Sequence, residues 1–170
     1  MILIQKIKKF IFSFALLVLC YESVLSQEAK VEKNITAINF TIAPTGASIS
    51  HELRLASRLS LKGELGLNYY YAFTRHLLFP YLNLQTRWYY NLYKRERKSK
   101  KTFGNSANFF GLYGAYQPEF PSLLDKEVSS KLAYGISPIW GIRRQLGKKI
   151  SFECYIGYPF LGLNFGYNFY

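Results

Sequence analysis

Residues 59–71 read Leu59-Ser60-Leu61-Lys62-Gly63-Glu64-Leu65-Gly66-Leu67-Asn68-Tyr69-Tyr70-Tyr71. Leu59, Leu61, Gly63, Leu65, Leu67, Tyr69 and Tyr71 share one parity, and Ser60, Lys62, Glu64, Gly66, Asn68 and Tyr70 share the other. Successive side chains of an extended chain point to opposite faces, so this segment is a strand with one apolar and one polar side. Working outward, Leu82, Leu84, Thr86, Trp88, Tyr90 and Leu92 oppose Tyr81, Asn83, Gln85, Arg87, Tyr89 and Asn91. Ile150, Phe152, Cys154 and Ile156 oppose Ser151, Glu153 and Tyr155, and Leu161, Leu163, Phe165, Tyr167 and Phe169 oppose Gly162, Asn164, Gly166 and Asn168. No stretch of comparable quality occurs at helical period.

Two shorter alternating runs precede these, 37–43 and 48–55, separated by the turn residues Pro44-Thr45-Gly46-Ala47. The run 131–144 alternates too, but Pro138 falls on its apolar face, and a bulge is expected there because proline cannot donate to a ladder. The segment 108–116 is aromatic and glycine-rich on both parities, so it predicts a strand without predicting its orientation. The resulting strands are 36–43, 48–55, 58–72, 79–93, 106–117, 130–144, 149–156 and 160–170, eight in all. The predicted fold class is all-β: a closed, antiparallel, up-and-down transmembrane β-barrel with both termini on one side. The connections at 56–57 and 145–148 are tight and belong to the terminal side, while 118–129 is long and belongs to the opposite side.

The clean apolar faces carry no Lys, Arg, Asp or Glu, whereas the opposite faces carry Glu52, Arg54, Arg58, Lys62, Glu64, Arg87, Lys131, Arg143, Lys149 and Glu153. Aromatic residues gather near strand ends, and Trp88, Tyr89, Tyr90, Trp140, Tyr167 and Phe169 are the expected interface girdle. An eight-stranded barrel is just wide enough for side chains to fill it, so its interior charges need partners. A connection centred on residue 57 sets Glu52 against Lys62, and one centred between 75 and 76 sets Glu64 against Arg87; Glu153 is a further lumenal candidate. Lys94, Arg95, Arg97, Lys98, Lys100 and Lys101 form a basic turn on the terminal side. It reads either as a solvated loop or as a contact for anionic headgroups or wall polymer.

Met1 to Ser26 combines Lys6, Lys8 and Lys9 with an uncharged apolar run from Phe10 to Cys20 and a small-residue site at Ser26, the pattern of a secretory signal peptide. The expected organisation is signal peptide 1–26, polar leader 27–34 and barrel 35–170. Removing those three lysines and Glu22 takes the net charge from +12 to +10 and leaves Cys154 as the sole cysteine. An exported basic chain meets membrane lipid, lipid phosphate or wall polymer rather than nucleic acid.

The signal peptide, the eight alternating strands, Gly166-Tyr167-Asn168-Phe169 and the aromatic C-terminus resemble the small outer-membrane β-barrels of the OmpA-type and OmpW-type group. Arg87-Trp88-Tyr89-Tyr90-Asn91 followed by a basic turn resembles uncharacterised outer-membrane β-barrel proteins of Bacteroidetes. The resemblance implies a porin-like fold in the cell outer membrane. Tyr170 departs from the pattern by adding one residue after Phe169, where the assembly signal of such barrels normally ends.

Barrels that act on lipid use a histidine with a serine and an acid near the rim. This chain has only His51 and His76, neither in such a constellation, and no metal-ligand spacing or phosphate loop, so no enzyme activity, cofactor or metal is expected. A structural or interaction barrel is the leading expectation. A narrow channel or small-ligand transporter is the first alternative, and a soluble lipocalin-like binder the second.

Overall fold

The computed structural model describes residues 30–170 except 44, 73 and 159, so the expected signal peptide lies outside the described residues. Eight strands, β1 (Asn34–Ala43), β2 (Gly46–Arg54), β3 (Leu59–Ala72), β4 (Arg75–Trp88), β5 (Asn108–Gln117), β6 (Ala133–Leu146), β7 (Ile150–Gly157) and β8 (Phe160–Phe169), follow one another around a closed barrel. Each pairs antiparallel with its sequence neighbours, and β1 closes on β8 through Thr36↔Phe169 to Ala43↔Leu163, with an irregularity between Thr41 and Ala43. Closure leaves no edge strand: each strand is paired on both sides over at least part of its length. The start of β1 and the end of β8 lie together at what is here called the terminal end; the opposite end is the mouth.

The parity read from residues 59–71 settles which face is inside, and the barrel is inverted relative to a water-soluble protein. Glu64 is 3% exposed and its neighbour Leu65 is 64% exposed. Ser50, Glu52, Ser60, Lys62, Gln85, Arg87, Arg143, Glu153 and Asn164 are buried in the interior, while Phe40, Ile49, Leu84, Leu112, Ile136 and Ile156 cover the outer wall. On β5, whose orientation the sequence left open, Phe109 points in and Phe110, Leu112 and Tyr116 point out.

Strand boundaries depart from expectation most at β4, which starts at Arg75 and stops at Trp88. Its connection to β3 is only residues 73–74, and Thr74 takes a left-handed φ of 66° there. The shorter turn shifts the register, so Ser60 rather than Glu64 faces Arg87, and Glu64 faces Asn83. Residues 89–107 form no strand but a six-residue helix α1 (Leu92–Arg97) and a single turn at Phe103–Asn105. Too short to complete two turns, α1 leaves no helical periodicity to detect.

The bulge expected at Pro138 is absent, since β6 pairs continuously with β5 through Leu112↔Pro138. The Arg143 amide donates to Ala107 on the β5 side at 2.9 Å. By alternation, Pro138 therefore turns its missing N–H toward β7, where the ladder has already ended at Ile139↔Gly157. Pro80 of β4 is placed alike: it faces β5 just past the last pair, Leu82↔Tyr116. Both prolines lie beyond the ladder they would break.

Interior aromatic rings are accommodated by glycines directly across the ladder: Tyr81 opposite Gly66, Phe109 opposite Gly141 and Tyr155 opposite Gly162. In each pair the ring occupies the space in which a Cβ on the glycine would stand. Large rings thus fit inside a narrow barrel by lying flat on neighbouring backbone.

Candidate functional site

The strands deliver six ionised side chains to the middle of the barrel: Glu52 from β2, Lys62 and Glu64 from β3, Arg87 from β4, Arg143 from β6 and Glu153 from β7. Arg87 donates from Nη1 and Nη2 to the two Glu153 oxygens, each at 2.9 Å, and from Nε and Nη2 to Gln85 Oε1 at 3.0 and 2.7 Å. Arg143 Nη1 joins Glu153 Oε1 to Glu52 Oε2, the latter at 3.2 Å. Lys62 Nζ lies 3.2 Å from Glu153 and 3.4 Å from Glu64. Three cations thus meet three carboxylates in one connected set. Deep burial of charge is tolerable only when it is paired and hydrogen-bonded in this way.

All five lumenal candidates, Glu52, Lys62, Glu64, Arg87 and Glu153, lie inside the barrel, but the expected pairing is corrected. Glu52 does stand opposite Lys62 in register, yet its ion partners are Arg143 at 3.2 Å and Arg87 at 3.7 Å. Its other oxygen, Oε1, accepts from Ser60, Tyr89 and Asn105 at 2.6, 2.9 and 2.9 Å. Guanidinium groups reaching across the lumen outcompete the lysine beside it because they offer more donors in a fixed fork. Glu64 pairs with Lys62 and accepts from Ser48 and Tyr81, with no ion pair to Arg87, because the β3–β4 register differs. Sequence reasoning left Arg143 out of the set, although its parity already placed it inside.

At the terminal end the segment after β4 folds beneath the barrel. Tyr89, expected in the girdle, instead turns inward: it has no exposed surface and packs edge-on against Phe109 at 5.6 Å. With Val31, Leu92, Ala107, Ile139 and Tyr155 these two rings form a small apolar cluster. Val31 and Glu32 were expected in a polar leader; Val31 is buried, and the Glu32 amide donates to Asn105 Oδ1 at 2.7 Å. Gly104 and Asn105 are left-handed, with φ of 63° and 58°, a conformation open to glycine and tolerated by asparagine. That geometry presents the Gly104 carbonyl to Arg143 Nε at 2.8 Å and the Asn105 amide to Glu52 at 2.9 Å. The segment therefore plugs this end with polar partners for the ion network.

At the mouth a cavity of about 200 Å³ is bordered by Thr41, Glu64, Tyr81, Asn83, Tyr113 and Tyr155. The connection 118–132 packs against the start of β4: the Leu123 amide donates to the Leu78 carbonyl at 3.0 Å, and Arg75 binds Asp125 and Glu127 at 3.0 and 3.1 Å.

The remaining girdle residues lie on the outer wall. Trp88, Tyr90, Phe110 and Trp140 are grouped: Tyr90 lies 6.4 Å from Trp88 and 5.1 Å from Phe110, and its hydroxyl accepts from Trp140 Nε1 at 3.1 Å. Tyr167 and Phe169 meet edge to face at 5.2 Å near the end of β8. Lys94, Arg95 and Arg97 belong to α1, and Lys98, Lys100 and Lys101 follow it, so half of the basic turn is helical. Partial burial depresses the Arg95 guanidinium below its ordinary pKa.

His51 sits on the outer wall with Nδ1 2.8 Å from Thr36 Oγ1, and His76 lies near the mouth with Nδ1 2.6 Å from Tyr69 hydroxyl. Among the described residues no group of His, Cys, Asp or Glu is placed to hold a metal ion. What the interior can do chemically is hold charges in a fixed, neutralised array. Comparison with known protein families, with curated proteins and with solved structures finds no match to this chain.

Proposed function

We propose that this chain is an exported protein of the cell outer membrane, a transmembrane β-barrel with a structural or interaction role. The observation that carries this reading is the inverted wall. A continuous apolar exterior such as Phe40, Ile42, Ile49, Leu65, Leu84, Leu112, Ile136 and Ile156 far exceeds the apolar patches that soluble monomers expose. In water this exterior would drive aggregation, whereas in lipid it is the compatible surface. Strands of 8 to 14 residues bracket the 9–11 that a tilted strand needs to cross a bilayer. Assembly from the periplasm puts both termini, α1 and the basic residues on the periplasmic side and the 118–132 connection outside.

The filled interior favours a wall over a passage. Gln85, Arg87, Tyr89 and Phe109 have no exposed surface, and the 89–107 segment covers the terminal end. Planar-bilayer recording is expected to give no conductance steps; steady single-channel openings would replace this reading with a channel. The cavity at the mouth supports a second reading, capture of a small ligand from outside without its passage through the barrel.

The decisive experiment compares gel mobility of the membrane fraction with and without boiling. A folded barrel is expected to migrate faster unboiled. Recovery in the soluble periplasmic fraction with no mobility shift would overturn the membrane reading in favour of a soluble binder.

A further inference from the structure

We propose that the cleft between α1 and the aromatic belt binds the phosphodiester headgroup of an anionic phospholipid in the leaflet at the terminal end. This rests on the membrane reading above. The cleft encloses about 370 Å³ and is lined by Lys94, Arg95, Lys98 and Lys100 together with Tyr90, Asn91 and Asn108. From Lys94 to Lys101 the chain carries six cations against the single acid Glu96. Such an excess in one rim segment, with neutral donors beside it, suits a phosphate whose oxygens accept several bonds at once.

The site is built rather than trailing. Leu92 and Tyr93, the first two residues of α1, are buried and fix it to the barrel end. Arg95 donates from Nη2 and Nε to the Lys101 carbonyl at 3.0 and 3.3 Å, and the Lys100 amide donates to the Arg95 carbonyl at 2.9 Å, so the stretch closes on itself. The Asn108 amide N–H donates to Asn91 Oδ1 at 2.7 Å, and Asn108 Nδ2 donates to the Tyr90 hydroxyl at 3.3 Å, which tie the cleft floor to β5. Holding Arg95 and the backbone that carries the lysines before a ligand arrives lowers the ordering cost of binding.

Position selects the source of the phosphate. Tyr90 belongs both to the cleft and to the belt, with its ring against Phe110 and its hydroxyl bonded to Trp140. Below the belt Leu112 and Leu84 continue the apolar wall. An acyl chain lying on that wall ends with its headgroup among the lysines, the level at which interfacial tyrosines and tryptophans sit in membranes. A soluble phosphate or a wall polymer would have no use for the apolar track leading to the cleft.

The chain contains two tryptophans, Trp88 and Trp140, and both lie in this belt, so their fluorescence reports on the neighbouring lipid. The experiment reconstitutes the folded protein in phosphatidylcholine vesicles. Either acyl-brominated phosphatidylglycerol or acyl-brominated phosphatidylcholine is added at equal mole fraction, and tryptophan quenching is read. The anionic lipid is expected to be preferred about fivefold at low salt, with the preference collapsing at high salt. The variant K94Q/R95Q/K98Q/K100Q is expected to lose the preference, while quenching by brominated phosphatidylcholine stays unchanged. That residual quenching, with an intact gel shift, establishes that the variant is folded and inserted.

Equal quenching by the two lipids in the native chain, or a preference that survives in the variant, overturns the proposal. No quenching by either lipid overturns the membrane reading itself, which keeps the two failures distinct. Equal quenching combined with co-sedimentation of the native chain, but not the variant, with isolated cell-wall sacculi would reassign the cleft to wall polymer.

Discussion

Arg87 on β4 clasps Glu153 on β7 across the barrel, with Nη1 and Nη2 each 2.9 Å from a separate carboxylate oxygen. The two strands are not neighbours, since β5 and β6 intervene, so the pair ties opposite walls together through the lumen. Lys62 and Arg143 complete the shell around the same carboxylate.

Glu153→Gln leaves Lys62, Arg87 and Arg143 facing only Glu52 and Glu64. Breaking a buried pair from one side costs about 3–5 kcal/mol, and a loss of that order is expected in the unfolding free energy obtained by urea titration of the lipid-reconstituted barrel. Adding Arg143→Met restores charge balance while Glu52 keeps Arg87 and Glu64 keeps Lys62, and is expected to recover part of the loss. A double variant less stable than Glu153→Gln alone would show that charge balance is not what the network provides.

The register makes a sharper claim about partners. A double-mutant cycle on Arg87 and Glu153 is expected to show coupling of about 1–3 kcal/mol, larger than the cycle on Arg87 and Glu64. The basis is that Glu64 stands opposite Asn83 and takes Lys62 as its ion partner. Greater coupling in the second cycle would mean that β3 and β4 pair in the register centred between residues 75 and 76.

The aromatic–glycine pairs give a test of packing. Gly162→Ala would place a methyl group within the Tyr155 ring and is expected to destabilise by about 1–3 kcal/mol. Gly63→Ala is the control: its parity is outward and a Cβ there meets nothing within 4 Å. The control is expected to change the unfolding midpoint little or to raise it. Equal losses at both positions would point to a general glycine effect rather than to ring packing.

Asn105 combines a left-handed φ of 58° with a hydrogen bond to Glu52 at 2.9 Å. Asn105→Gly and Asn105→Ala both remove the bond, but only alanine adds backbone strain, about 1–2 kcal/mol. Alanine is therefore expected to be the more destabilising, measured by the same urea titration. Equal stability of the two variants would argue that residue 105 does not hold the left-handed conformation.

Much of this architecture is legible in the sequence because a strand's period is two. The alternation at 59–71, 150–156 and 161–169 identifies strands, and the confinement of charge to one parity identifies the faces. Alternation is blind to register, however, and a two-residue error in the β3–β4 centre, a four-residue shift in pairing, changed the partners of Glu64 and Arg87. For Tyr89 alternation gave the right face, the parity of Gln85 and Arg87; the girdle reading misplaced it, since its ring lies inside, beyond the last residue of β4.

The sequence by itself determined that the chain forms eight strands, which parity faces in on every strand but β5, and that charge is confined to that parity. The tertiary structure decided how those charges pair, because a narrow closed barrel lets Arg87 and Arg143 reach carboxylates on strands remote from their own. It also decided that residues 89–107 plug the terminal end, since a six-residue helix and the left-handed Ser99, Gly104 and Asn105 leave no periodic trace. Local alternation fixes which way a side chain points, and only closure of the sheet fixes what it meets.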